Sequence, residues 1–102
     1  MISMDPNSAM SSPISGTLSD YSEDLYRYFF EVSDHSGIAR SVLLNYLGDE
    51  RSFHLRGVEN GYELDIPIQC APELVRLLTN YNIAVYQVVR LAKSEGRWRS
   101  SL

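Results

Sequence analysis

The chain has a single cysteine, Cys70, among its 102 residues, so no disulfide can form within it and a reducing, cytoplasmic setting is the expectation. It has two histidines, His35 and His54, at no metal-ligand spacing from each other or from Cys70, which argues against a zinc site. Its six glycines form neither Gly-x-Gly-x-x-Gly nor Gly-x-x-x-x-Gly-Lys-Ser/Thr. With no loop of that kind to cradle phosphates, no nucleotide or other cofactor is expected. Long apolar runs are missing too. Residues 42–44 and 83–86 fall far short of the roughly 20 residues that cross a bilayer, so direct membrane insertion is not expected. Asp5 stands where an export signal would carry positive charge, and no apolar stretch follows it.

The charge that is present sits unevenly. Residues 1–24 hold Asp5, Asp20, Glu23 and Asp24 with no Lys or Arg, which leaves nine acidic and nine basic groups in residues 25–102. That balance gives no net field to steer nucleic acid or an anionic membrane toward the body of the chain. Residues 1–22 contain seven serines and two prolines. They read as a disordered tail, a linker or a tag remnant, because so little apolar surface cannot offset the entropy of ordering.

From residue 25 to 91 the segments run strand, helix, strand, turn, strand, helix, strand. In the first strand the alternation sets Tyr26, Tyr28, Phe30 and Val32 on a core face and Arg27, Phe29 and Glu31 on the other. Asp34 or Ser36 can cap a helix with an inner stripe of Ile38, Val42, Leu43, Tyr46 and Leu47, which Gly48 ends. A second helix is expected to start at Pro72, with Leu74, Val75, Leu78 and Tyr81 inward. Asn60 and Gly61 suit a hairpin turn that needs two positive φ angles. Centred there, the hairpin pairs Glu59 with Tyr62, Leu55 with Ile66, Phe53 with Ile68, Arg56 with Asp65 and Val58 with Glu63. The last strand is apolar at nearly every position from 83 to 91. Either Gln87 points inward or Ile83, Val85 and Val89 point away from the helices.

This order predicts an α+β, ferredoxin-like βαββαβ two-layer sandwich, a four-stranded antiparallel sheet with two helices on one face. Residues 23–92 form the domain and residues 93–102 a basic C-terminal tail. The uncovered face then carries Arg27, Phe29, Glu31, Arg56 and Asp65 as a candidate interface, and His54 belongs on the same side.

Candidate chemistry is thin. Asp34, His35 and Ser36 are the residue types of a hydrolase triad, but neighbours in sequence rarely converge with the imidazole in the middle, and a helix cap explains them. Cys70 has no basic cluster beside it to activate the thiol. Arg90, Lys93, Arg97, Trp98 and Arg99 could meet phosphates and a base, though a solvated tail accounts for them as well. The third strand has two acids where RNA would lie on an RNA-recognition module. Gly37, Ile38, Ala39 and Arg40, with residues 57–61, are faintly similar to the acylphosphatases. The phosphate-cradling glycines are missing around 32–36 and the hairpin is too short, so Arg40 reads as a surface helix residue.

The ending of the domain resembles a known family. Glu73, Leu74 and Leu78 on the helix, the turn Asn80, Tyr81, Asn82, the strand 83–90 and the closing Ser101 and Leu102 are similar to the C-terminal accessory domain of bacterial ABC-transporter ATP-binding subunits. The resemblance spans residues 25–102. It implies a non-catalytic, non-enzymatic domain in the cytoplasm, peripheral to the inner membrane, whose partner is the ATPase domain or its own twin. A paired regulatory domain of the ACT type, binding a small molecule, is the alternative, and an acylphosphatase-like hydrolase the third.

Overall fold

The computed structural model describes residues 14–98. The chain runs β1 (Asp24–Val32), α1 (Ile38–Leu47), a 3₁₀ segment (Asp49–His54), β2 (Arg56–Val58), β3 (Gly61–Ile66), α2 (Cys70–Asn80) and β4 (Val85–Arg97). The strands form one antiparallel sheet in the order β2-β3-β1-β4, and the helices pack on it as in a ferredoxin-like sandwich.

The alternation in β1 lands as expected. Tyr26, Tyr28, Phe30 and Val32 are buried and meet Leu64 and Ile66 of β3 beneath Ala39, Val42, Leu43 and Leu47 of α1 and Leu74 and Leu78 of α2. The apolar area these side chains remove from water is the main force holding the two layers together. Two helix faces are narrower than the sequence suggests. Ile38, at the first position of α1, is exposed while Ala39 takes the inner place. Tyr81 follows the last turn of α2, where Asn82 at φ 62° redirects the chain, and its ring stays outside. α2 itself begins at Cys70, two residues before Pro72. Turns closed by Cys70 N–H on the Pro67 carbonyl and Ala71 N–H on Ile68 wind the chain early, and the missing N–H of Pro72 falls in a first turn where that donor has no helical partner.

The hairpin register differs from the expected one by two residues. Val58 faces Gly61, Gly57 faces Tyr62 and Arg56 faces Glu63, so the turn is centred on Glu59 and Asn60. Only Asn60 of the turn holds a positive φ, 68°. Gly61 is instead the first residue of β3, where a Cβ would lie 2.0 Å from the Phe30 carbonyl oxygen. The glycine serves the approach of two strands. The same shift leaves Phe53 outside the sheet, exposed on the 3₁₀ segment, and reduces β2 to three residues.

The last strand resolves its dilemma by a third route. Glu31 pairs with Gln87 but Val32 pairs with Val85, so Tyr86 is an extra residue in a bulge. The bulge resets the alternation, and Gln87 and Val89 face away from the helices while Val85 and Val88 pack on the core. A second bulge at Leu91 and a wider irregularity between Lys93 and Arg97 follow. The strand lies at the sheet edge and much of it is exposed, unlike a strand covered on both faces.

Both ends of the described chain are more structured than composition implies. Residues 14–22, assigned to a tail, fold back on the body. Asp20 is buried and accepts from the N–H groups of Gly16 and Ser22, Gln69 Nε2 donates to the carbonyls of Leu18 and Asp20, and the Arg90 guanidinium donates to that of Gly16. Residues 93–97, assigned to a basic tail, are strand, and Trp98 packs against the core. Residues 1–13 and 99–102, with Arg99 and the closing Ser101 and Leu102 of the resemblance, lie outside the described residues.

Candidate functional site: the open sheet face

Three rows of side chains cross the face opposite the helices. In the middle row Arg56, Glu63, Phe29 and Val89 stand on β2, β3, β1 and β4. Two residues along β1 in one direction, Glu31 lies between Gly61 and Gln87, and Gln87 Nε2 donates to Glu31 at 3.0 Å. Two residues in the other direction, Arg27 lies between Asp65 and Ala92. All five residues that the alternation assigns to this face, Arg27, Phe29, Glu31, Arg56 and Asp65, are brought together on it.

Asp65 is the keystone of the lower row. It is only 6% exposed, and its Oδ1 accepts from Ser94 Oγ at 2.9 Å, Arg27 Nε at 3.3 Å and Arg56 Nη2 at 3.5 Å, while Oδ2 lies 3.3 Å from His54 Nδ1. Burial works to raise the Asp65 pKa. The Ser94 hydrogen bond, the Arg56 charge and the bonds from Arg27 and His54 outweigh it and hold the carboxyl below its ordinary range. One carboxylate thereby ties together all four strands and the end of the 3₁₀ segment. Arg56 also lies 3.7 Å from Glu63, so the Arg–Asp pair expected across the hairpin is present, but on the diagonal. Asp65 sits beneath these donors and is not an exposed contact residue.

The geometry limits the chemistry. A carboxylate saturated with donors and held ionised is a poor general base, and His54 and Ser94 both bind Asp65, whereas a triad places the imidazole between acid and hydroxyl. Asp34 is likewise committed. Its oxygens accept from the N–H groups of Ala39 and Arg40 at the start of α1 and from Tyr62 Oη at 2.6 Å. Burial opposes its ionisation, but the Tyr62 bond and the helix N–H groups prevail and lower its pKa. The cap expected of Asp34 is present, applied from three residues ahead of the Gly37 cap position. Cys70 is buried, and burial pushes its thiol pKa up, the wrong direction for a nucleophile. No group of His, Cys, Asp and Glu suited to a metal ion occurs among the described residues, nor any helix long and apolar enough to cross a membrane.

A cleft of about 260 Å³ lies at the hairpin end of the sheet, lined by Val32, Asp34, Gly57, Val58, Asn60 and Tyr62 together with Gly61. At the opposite end the Arg51 guanidinium lies 4.1 Å above the Trp98 ring, which stands 6.2 Å from Tyr46. Trp98 is therefore engaged in packing and is not a free stacking platform. Ser94, Gln87 and Val89 belong to the open face but could not be assigned from sequence, because the bulges in β4 reset its alternation. Comparison with protein-family models, with curated proteins and with solved structures returns no match.

Proposed function

We propose that this chain is a non-catalytic docking domain that works through its open sheet face, the accessory domain of an ABC-transporter ATP-binding protein. The observation that carries the proposal is the face itself. Phe29 and Val89 form an apolar centre between rows of charged groups, and the Asp65 network fixes the four strands beneath them. A rigid, mixed surface of this kind suits a protein partner, with aromatic anchor and polar rim. The assignment to a transporter rests on the sequence pattern of residues 72–90. It places the domain in the cytoplasm beside the inner membrane, against an ATPase domain or its own twin.

The test is association measured by sedimentation, with the chain alone and with the ATPase domain of an ABC-transporter ATP-binding subunit. Phe29→Glu lowers association at least about tenfold, while Tyr81→Glu, on an exposed residue after α2, leaves it unchanged. No association of either kind, or equal effects of the two variants, overturns the proposal.

The hairpin cleft favours a second reading, an ACT-like regulatory domain. Asp34, Asn60 and Tyr62 converge there on a volume suited to a small polar ligand. A thermal-shift panel of amino acids tests it, since a ligand at a hundred times its Kd stabilises the fold by about 2.7 kcal/mol.

A further inference from the structure

β1 carries a charge pattern with a specific symmetry. Phe29 lies at the middle of the open face, Arg27 two residues before it and Glu31 two residues after, all three on the same side of the strand with successive ones about 7 Å apart along it. A two-fold axis passing over Phe29, perpendicular to β1 and parallel to the sheet, brings a second copy face to face with the first. That operation sets Phe29 and Val89 against their own counterparts. It also sets each Arg27 against the other copy's Glu31.

We propose that the occupant of the open face is a second copy of this chain, related by this two-fold axis, with two reciprocal Arg27–Glu31 pairs flanking a Phe29 and Val89 centre. The inference rests on the docking function proposed above and names its partner.

Each row is compatible with that arrangement. Arg27 bonds Asp65 through Nε alone among the contacts recorded between the two, and its side chain is 45% exposed, which leaves it accessible to a partner. Gly61 meets the Asp65 row, and no like charge faces the buried carboxylate. The outer part of the middle row sets Arg56 and Glu63 against their own counterparts, but these two are paired within each copy at 3.7 Å, so neutral pairs meet, and each Arg lies one strand spacing from the other copy's Glu. Four strands at about 4.8 Å and three rows at about 7 Å give a face of roughly 400 Å² per copy, about half of a standard interface, so the pairing is a weak one that shows at the upper end of the concentration range.

The other self-pairing route is blunted. β4 is an edge strand, but its bulges at Tyr86 and Leu91, the irregularity beyond Lys93 and the cations Arg90, Lys93 and Arg97 oppose a continuous ladder between two copies.

The experiment uses two charge reversals and sedimentation over about 1 to 200 µM. Arg27→Glu sets glutamate against Glu31, and Glu31→Arg sets arginine against Arg27, so each variant alone is weakened at least about tenfold. A mixture of the two restores every opposite-charge pair, and a one-to-one dimer returns at wild-type affinity. Circular dichroism and the melting temperature report whether each variant folds. Should Arg27→Glu unfold through loss of its Asp65 bond, Glu31→Arg and Phe29→Glu, both outside that network, must each still weaken the dimer about tenfold. A wild-type chain that stays monomeric throughout, or folded variants whose mixture does not associate, overturns the two-fold pairing. If the wild type is monomeric yet binds the ATPase domain in a Phe29-dependent way, only the self-pairing fails and the docking function stands. A dimer indifferent to Phe29, Arg27 and Glu31 removes both.

Discussion

Gly61 and Phe30 run so close that a Cβ added to the glycine would lie 2.0 Å from the Phe30 carbonyl oxygen. No Cβ is accommodated at that distance without moving one strand, and the obstacle is backbone, which cannot rotate away. Gly61→Ala is expected to cost about 3 kcal/mol, the upper part of the range for overpacking, measured by urea unfolding. Asn60→Gly, at a φ of 68° that glycine adopts freely, should change stability by less than about 0.5 kcal/mol. Equal losses from the two would assign the constraint to the turn and not to the strand contact.

Asp65→Asn removes a charge that four donors are arranged to receive. The expected loss is about 2 kcal/mol at neutral pH, through one saturated acceptor replaced by an amide that presents hydrogens to Arg27 and Arg56. Because the folded pKa of Asp65 lies below its unfolded value, its contribution is complete above the unfolded carboxylate pKa and disappears as pH falls through the folded one. The gap between wild type and variant should therefore close in acid. Asp20 and Asp34 are held low as well, so the variant keeps part of its acid sensitivity. A gap that stays constant with pH would show that the carboxylate charge is not what the network uses.

These two sites mark how far the sequence could be read. The core face of β1 and the set Arg27, Phe29, Glu31, Arg56 and Asp65 follow from strand alternation alone, because a period of two leaves no choice once one face is apolar. The two-residue slip of the hairpin escaped because Asn-Gly suits a turn at either position, and only the contact of Gly61 with Phe30, 31 residues away, decides between them. Bulges are equally illegible. Nothing in residues 85–91 distinguishes Tyr86 as the extra residue, and the place of Ser94 beside Asp65 depends on that count. Composition misjudged residues 14–22 because their order comes from Asp20, Gln69 and Arg90 making hydrogen bonds, with little apolar burial of their own.

Tyr62→Phe isolates the contact at the head of α1. The variant keeps the ring and both helix N–H bonds to Asp34, and loses one 2.6 Å hydrogen bond to a carboxylate, worth about 1.5 kcal/mol. Burial and the Asp34 bond push the Tyr62 pKa up to about 12. A raised folded pKa gives stability that is whole below the unfolded value near 10 and is lost as pH climbs toward 12, so the variant's deficit should vanish over that window. Ultraviolet absorbance during alkaline titration follows the ionisation directly, and a deficit that persists above pH 12 would place the effect in packing.

Trp98 is the only tryptophan, packed beside Arg51 and Tyr46 at the end of β4, with its backbone N–H on the Glu23 carbonyl at 2.8 Å. Its emission should shift to the red in a single transition that coincides with loss of the far-ultraviolet signal, because its packing belongs to the common core. Trp98→Ala should cost about 2 kcal/mol from lost apolar burial and the cation–π contact. A fluorescence transition that precedes global unfolding would show the end of β4 detaching as a separate unit.

Deleting Tyr86 tests the bulge against the alternation it resets. With that residue gone, Val85 opposite Val32 and Gln87 opposite Glu31 become neighbours, and inward and outward positions alternate without interruption as far as the second bulge at Leu91. Since Tyr86 is 67% exposed and contributes little to the core, the deletion should change stability by less than about 1 kcal/mol. Deleting Val88 is the opposite case. It moves Gln87 or Val89 onto the wrong face and should cost more than about 3 kcal/mol, as a one-residue slip inverts every side chain beyond it. The regularised edge of the Tyr86 deletion also loses part of its guard against another strand, so it should aggregate faster on heating than the wild type at equal stability, followed by light scattering. Tolerance of both deletions would mean that the face of β4 is not fixed by Gln87, and aggregation no faster than wild type would remove the guarding role of the bulge.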